Sequence, residues 1–398
     1  MARHDAFIVG TRCSGAALAM LLARHGLKVL AIDRAHFPSD TISTHFLWPR
    51  TTSFLASWNL LDTLSATGCP AIELVTADYG GVAIAGRPSR VRGTAIMYSP
   101  RRTILDLLLV EAARAAGAEI REVTTFRKLI WQDNRAVGAR VQDRDGKFVE
   151  ERATIVVGAD GLWSPVARAA GATTEIHHES LTCGYYAYWA GIPTRGVEFY
   201  VRRGRDILVF PTHEGLTCIW AGRSHGDWAA YRADVERTYR EIISLAPSLA
   251  ERLNSARQAS PFKGTSKLPN FYRRSFGRGW ALVGDAAHHR DPLTGMGIGD
   301  AFLGAQLLAD AIAEGLSGDP ARLDAALANY QSAFRQRTMP VFEYTLKAAS
   351  LKDPASTLPL YAKVAQSSEE TTRFMDVLAG AMDFRQFFTP SNISRLLS

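Results

Sequence analysis

The sequence predicts a mixed α/β (α+β) protein. It reads as a Rossmann-like dinucleotide-binding domain with an inserted β-sheet substrate domain and a helical C-terminal region. Three observations predict this: a strand–turn–helix–strand pattern at the N-terminus, two β-rich stretches that interrupt α/β segments, and a long helical remainder.

The first element is an apolar strand over 5–9, then a turn holding Gly10 and Gly15, then a helix over 14–25 that Gly26 ends. A second strand over 28–32 completes a βαβ opening, and Ala16, Leu18, Leu21 and Leu22 recur at helical spacing on the crossover. A polar loop with Pro38 and Pro49 follows, then a helix over 52–67 and β character over 74–98. A helix over 102–116 is opened by Pro100 and closed by Gly117. Short strands fill 119–150, and 154–158 is a buried strand. The stretch 179–265 is β-rich with one helix over 228–245. A strand over 280–284 and a helix over 296–314 come next. From 319 onward helix dominates, punctuated by Pro340, Pro354, Pro359 and Pro390. The β-rich pieces therefore split one α/β unit. The expected nucleotide domain comprises 1–73, 101–178 and 275–330, the substrate domain 74–100 and 179–274, and the C-terminal helical region 331–398.

The bulk properties agree with a globular enzyme-sized chain. Of 398 residues, 47% are hydrophobic and 21% charged, enough apolar material for a core. The net charge of +7 comes mostly from Arg, and no basic run is interleaved with aromatics, so nucleic acid is not an expected partner. Cys13, Cys69, Cys183 and Cys218 have neither CxxC spacing nor a His cluster, so disulfides and metal sites are not expected. No segment reaches the roughly 18 uninterrupted apolar residues of a membrane span. Arg3, His4 and Asp5 break any signal-peptide pattern at the N-terminus. A cytoplasmic protein without stable membrane insertion is expected.

Two motifs carry chemistry. In the first, Gly10-Thr11-Arg12-Cys13-Ser14-Gly15 stands at the strand-to-helix turn, with Arg12 where a GxGxxG fingerprint has its middle Gly. Gly10 makes the turn, Gly15 lets helix and strand approach, and the helix N-terminus offers N–H donors to an anion. Cys13 reads as a space-filler. Asp33, 23 residues after Gly10 and followed by Arg34, is placed to accept a ribose hydroxyl. In the second motif, Gly284-Asp285 ends a strand, and Pro292-Leu293-Thr294-Gly295-Met296-Gly297 leads into a helix. A carboxylate at a strand end suits a sugar-alcohol chain, and a Gly-rich helix start suits a ring carbonyl that becomes anionic. A flavin has both features.

The 284–297 segment resembles the GD motif of the para-hydroxybenzoate-hydroxylase-like flavoproteins, the class A flavin monooxygenases. Val157–Arg168, with Asp160-Gly161, resembles their DG motif. Arg102-Thr103-Ile104-Leu105-Asp106 resembles their Arg-containing helix start, and Asp40–His45 the loop passing beside the ring. The four segments keep the family's order across about residues 5–310. The resemblance implies FAD as cofactor. Asp33 would lie on the adenosine ribose, Arg102 near ribose and pyrophosphate, and Asp285 on the ribityl chain. Pro292 and the backbone of Gly295, Met296 and Gly297 would border the isoalloxazine, and Asp160 would serve FAD and be linked to NAD(P)H use.

His45 and Pro292 are the catalytic candidates, and His288 reads as structural. Strand alternation sends Tyr186 and Tyr188 to one face and Tyr185 and Trp189 to the other. Tyr186, Tyr188 and Phe210 are the pocket candidates, with sheet core as the competing reading. Arg202, Arg203 and Arg205 read as a solvated hairpin cluster.

In the resembled family NAD(P)H reduces the flavin and O2 then yields a hydroxylating species, without a second nucleotide fold. The expected function is NAD(P)H- and O2-dependent monooxygenation of a hydrophobic aromatic or polycyclic small molecule. Two relatives share this scaffold: halogenases with WxWxIP, and geranylgeranyl-reductase-like saturases with YxWxFP. Asp206–Pro211 keeps the Phe-Pro end but lacks the aromatic pair. A saturase, possible dependence on a separate reductase, and a non-catalytic flavin-binding regulator stay open as alternatives.

Overall fold

Parallel pairing of short apolar strands organises the first half of the protein, seen in a computed structural model that describes residues 4–194, 196–317 and 320–398. His4–Val9 lies between Val29–Ile32 and the long strand Phe148–Gly158, and Glu119–Arg121 and Trp280–Leu282 extend the sheet on either side. Val29–Ile32 and Trp280–Leu282 are wholly buried and His4–Val9 nearly so, which is why 6–9, 29–32 and 280–282 read as apolar runs. The helices Cys13–Arg24, Arg102–Ala115 and Gly297–Leu316 pack together on one face, and their Ala, Leu and Val side chains form one core with that sheet. Phe148–Gly158 also pairs at its N-terminal half with Arg135–Gln142, which continues to Thr125–Gln132 as an antiparallel layer.

A second sheet runs in the order Arg257–Gln258, Thr182–Ala190, Leu216–Ser224, Arg205–Pro211, Val197–Arg202, Val75–Asp78, Ala83–Gly86. Its two faces differ. Trp189, Ile207, Val209 and Ile219 point to the helices Val235–Ile243 and Pro247–Asn254. Tyr186, Tyr188, Leu208, Phe210 and Trp220 point the other way, into a core shared with Phe46, Trp48 and the C-terminal helices Leu358–Ala365 and Ser368–Leu378. A small third sheet, Thr174–His178, Asn270–Arg273 and His288–His289, ties the two larger ones together.

Several local expectations are corrected. The helix expected over 52–67 is two, Pro49–Ser57 and Leu61–Ala66, broken where Asn59 takes φ 61°. The helix expected over 228–245 is also two, Trp228–Ala233 and Val235–Ile243. Asp234 leaves helical geometry between them and caps the second through Arg237 N–H. Pro340 does not punctuate: it lies inside the helix Pro320–Ala349, which runs straight through the boundary expected at 330/331. Arg202 and Arg205 are paired rather than solvated, Arg202 with Asp78 at 2.9 Å and Arg205 with Asp227 at 3.2 Å. Among the described residues no helix is long and apolar enough to cross a membrane.

Candidate active site

Three chain segments far apart in sequence meet at backbone distance. A Cβ added at Gly10, whose φ is +97°, would lie 2.4 Å from the Ala159 carbonyl oxygen, and one at Gly15 only 1.8 Å from the Gly10 carbonyl oxygen. A Cβ at Gly284 would lie 2.6 Å from Ser14 Oγ. The turn at 10–15, the Ala159-Asp160 strand end and the Gly284-Asp285 strand end therefore form one cradle that side chains would fill.

That cradle is one end of a cavity of about 750 Å³, in the upper part of the range of about 300–1,000 Å³ typical of small-molecule sites. Gly10, Arg12, Cys13, Ser14, Asp33, Arg34, Arg102, Asp160, Gly284, Asp285, Pro292, Gly295 and Gly297 line it, together with His45. Of the residues read from the sequence as cofactor contacts, Gly15 and Met296 are not in the lining. Gly15 sits one layer below, against Gly10. Met296 is buried in the aromatic core, its Sδ 3.0 Å from where a Cβ on Gly380 would stand.

The helix Cys13–Arg24 begins at the cradle with no side-chain cap, so its first N–H groups stay available for a pyrophosphate. Arg12 explains how a bulky residue stands at the middle position of the fingerprint. Its guanidinium turns away, donating to Ser39 O at 3.1 Å, Ser39 Oγ at 2.9 Å and Asp40 O at 3.3 Å, and it meets Asp106 Oδ2 at 2.7 Å. Asp106 is fully buried and also takes two bonds from Arg102, at 3.1 and 3.0 Å, and one from Cys13 Sγ at 3.2 Å. Sequence reading quoted Asp106 only as part of a motif. The structure makes it the hub that fixes both arginines.

Asp33 Oδ2 accepts the Thr11 N–H at 2.8 Å and the Thr11 hydroxyl at 3.4 Å, and its Oδ1 accepts the Ala35 N–H at 2.8 Å, which leaves a lone pair on Oδ1 for a sugar hydroxyl. Asp160 holds its own loop, accepting from Ser164 Oγ at 2.5 Å and Val166 N at 2.9 Å, and burial raises its carboxyl above the ordinary value. Asp285 is exposed on the cavity wall. Gly295, at φ +65°, closes the turn before the helix Gly297–Leu316, and Trp48 Nε1 donates to Thr294 O at 2.9 Å to hold that turn. A Cβ on Gly297 would meet nothing within 4 Å, so the helix start opens onto the cavity. Backbone cradle, free helix start, cavity-facing carboxylates and a second helix start all fit FAD. Asp33, the 12–15 turn and Arg102 would hold its ADP half, Asp285 its ribityl chain, and Pro292 and 295–297 the ring edge.

The far end of the cavity is lined by Thr44, His45, Phe46, Tyr186, Trp220, Thr265, Lys267 and Leu268. His45 is buried, and its Nε2 meets Tyr188 Oη at 2.8 Å. Burial, then the nearby Arg101 and Arg102 charges, lower its imidazole to about 3, so it is neutral. Of the three expected pocket residues, only Tyr186 lines the cavity. Tyr188 lies a layer behind, bound to His45 and under the Arg101 guanidinium at 4.0 Å. Phe210 is fully buried, its ring 5.2 Å from His45, because that strand lies one place further into the sheet. Trp220, missed in the sequence, takes the place at the wall. His288 is held among core groups: its Nδ1 donates to the Phe271 carbonyl at 3.1 Å, its Nε2 lies 3.3 Å from Asp300 Oδ2, and burial lowers its imidazole. Asp300 also pairs with buried Arg290 at 2.6 Å.

Residues 3–343 match the family model described as FAD binding domain. The chain is 27% identical over 347 residues to the digeranylgeranylglycerophospholipid reductase of Methanosarcina acetivorans, covering 84% of this chain and 81% of that protein. In fold it is similar to the myxobacterial chondrochloren halogenase (TM-score 0.79, 20% identity, 95% and 97% of the two chains). It is also similar to PqsL, a probable FAD-dependent monooxygenase of Pseudomonas aeruginosa (TM-score 0.74, 22% identity, 94% and 99%). The cradle at 10–15, 159–160 and 284 and the match along most of the chain lead to one conclusion: this protein belongs to the FAD binding domain family and is an FAD-dependent oxidoreductase.

Proposed function

We propose that the protein is an FAD-dependent reductase that saturates carbon–carbon double bonds in an apolar, prenyl-type substrate. One observation carries this reading. Tyr186 lines the cavity, and its hydroxyl, buried at the end of the ring, meets no hydrogen-bond partner of good geometry. Burial raises this phenol, so it keeps its proton. Saturating an alkene requires a hydride for one carbon and a proton for the other. FAD supplies the electron pair when bound. Tyr186 is the proton source, and Phe46, Trp220 and Leu268 exclude water from the apolar substrate. The similarity to a reductase of geranylgeranyl lipids supports the reading. NAD(P)H, or a separate reductase protein, is the proposed electron source.

A second reading is NAD(P)H- and O2-dependent monooxygenation of a hydrophobic aromatic or polycyclic compound. It is favoured by Asp206 and Leu208, which stand where saturases carry their aromatic pair. The two readings separate in one experiment. Holoprotein reduced with dithionite is mixed under argon with a geranylgeranyl glycerophospholipid. Loss of the reduced-flavin spectrum, with product gaining two hydrogens, is expected. Tyr186→Phe should slow that step at least about ten-fold, within the range typical of a lost general acid. Reduced flavin that persists under argon, with one oxygen gained when NAD(P)H and air are supplied, would overturn the first reading in favour of the second.

A further inference from the structure

Trp220 is held in a position that packing economy alone does not explain. It stands on Leu216–Ser224, opposite Tyr186 on one neighbouring strand and Leu208 on the other. Its indole does not stand upright on the sheet but lies across it. A Cβ on Gly184 would come within 2.5 Å of Cζ2 and 2.8 Å of Cη2, and one on Gly222 within 2.6 Å of Nε1. Gly184 and Gly222 are themselves cross-strand partners, so the two hollows are adjacent. The indole N–H is tied to Asp206 Oδ2 at 2.8 Å, and Asp206 pairs with Gly222 from the third strand. The other oxygen of Asp206 is buried without a partner. Three strands thus give up two side chains and bury one carboxyl to hold one ring flat, and that ring lines the cavity.

A buried carboxyl with an unsatisfied oxygen is costly, and two glycines in strand interiors weaken a sheet. Trp220 is only 4% exposed, yet it is part of the cavity wall, so the arrangement makes physical sense if the contact the ring offers there is what matters. An indole held flat offers a polarisable surface whose contacts favour flat sp2 partners over branched saturated ones. We propose that Trp220 is the substrate plate of the cavity, positioned by Asp206 over Gly184 and Gly222, and that it selects an sp2-carbon framework laid parallel to the indole. The proposal deepens the reductase reading and rests on it for the nature of the cavity. Two sources supply such a framework, the alkene units of a polyprenyl chain and a planar polycyclic ring. Asp206 is a positioning residue, since it touches the ring and not the substrate.

The test uses flavin-loaded protein labelled with 5-fluorotryptophan. The Trp220 resonance is assigned by its loss in Trp220→Phe. The probes are geranylgeraniol, its fully saturated counterpart, and 2-naphthol. At least one unsaturated probe is expected to shift the Trp220 resonance at saturation, and to bind several-fold more tightly than the saturated alcohol. Trp220→Ala should weaken that probe about ten-fold, the upper end of what an aromatic contact adds. Asp206→Leu, which removes the acceptor, should also weaken it. Asp206→Asn keeps a carbonyl acceptor for the indole N–H and should bind within about two-fold of wild type, a rescue that general loosening of the sheet would not give. A response to geranylgeraniol alone supports the prenyl source, and to 2-naphthol alone the polycyclic source. A Trp220 resonance unmoved by every saturating probe, or Trp220→Ala binding like wild type, overturns the proposal. If Trp220 responds while reduced holoprotein transfers no hydrogen to a geranylgeranyl glycerophospholipid under argon, the reductase reading fails and the plate stands.

Discussion

At the dinucleotide end of the cavity the wall is backbone; at the far end it is side chain. The first is made by glycines at 10, 15 and 284 packed against carbonyl and hydroxyl oxygens, with carboxylates spent on capping N–H groups. The second is made by rings, Phe46, Tyr186 and Trp220, whose positions depend on which strand pairs with which. A backbone wall tolerates almost no substitution but serves any ligand with a pyrophosphate. A side-chain wall can be exchanged residue by residue, and it decides which substrate enters. The FAD end should therefore fail outright when altered, and the far end should change its preferences while the protein stays folded.

The comparison is broken most severely at Gly15. Gly15→Ala places a methyl 1.8 Å from a fixed carbonyl oxygen. It should yield protein without flavin and a stability loss of about 3 kcal/mol, read by the visible spectrum and by urea unfolding. Asp106→Ala should cost about 3 kcal/mol because it leaves two arginines facing each other with little solvent. Its flavin affinity should fall with its stability. If Asp106→Ala unfolds like wild type, the hub role assigned to Asp106 is wrong.

At the far end the test is one of pH. Burial, then the nearby Asp291 charge, lift the Asp206 carboxyl from 3.8 to about 7, against the pull of the Trp220 N–H. Between those values the unfolded chain releases this proton and the folded chain retains it. Stability from this group is therefore full below about pH 4 and declines as pH rises to about 7. Asp206→Asn does not titrate. Its melting temperature relative to wild type should rise across that window and level off above it. A constant difference across the window would show that Asp206 is ionised throughout.

What was legible in the sequence follows the same division. Gly10, Asp33, Asp160 and Asp285 could be read because turns, strand ends and helix starts are local, and their chemistry is tied to short spacing. The alternation of Tyr185 to Trp189 was legible for the same reason, since the period of a strand is two. Which of Tyr186, Tyr188, Phe210 and Trp220 reaches the cavity was not. All four share one face, and only the strand order across 182–190, 216–224 and 205–211 places Phe210 behind and Trp220 in front. Trp220 did carry a signal: Gly184 and Gly222 are strand-interior glycines with no turn to make. The hub at Asp106 was illegible because its partner Arg12 is 94 residues away.

The segment 39–45 belongs to both ends at once. Arg12 grips Ser39 and Asp40 from the phosphate turn, Lys263 of the substrate sheet meets Asp40 at 2.5 Å, and His45 reaches Tyr188. A change on the nucleotide side is thereby transmitted to the chamber wall through a strap of seven residues. Positions 12, 40 and 263 thereby act as one clasp: a glycine at 12 would release Ser39 and Asp40 from the phosphate turn and leave Lys263 to anchor the strap from the sheet side.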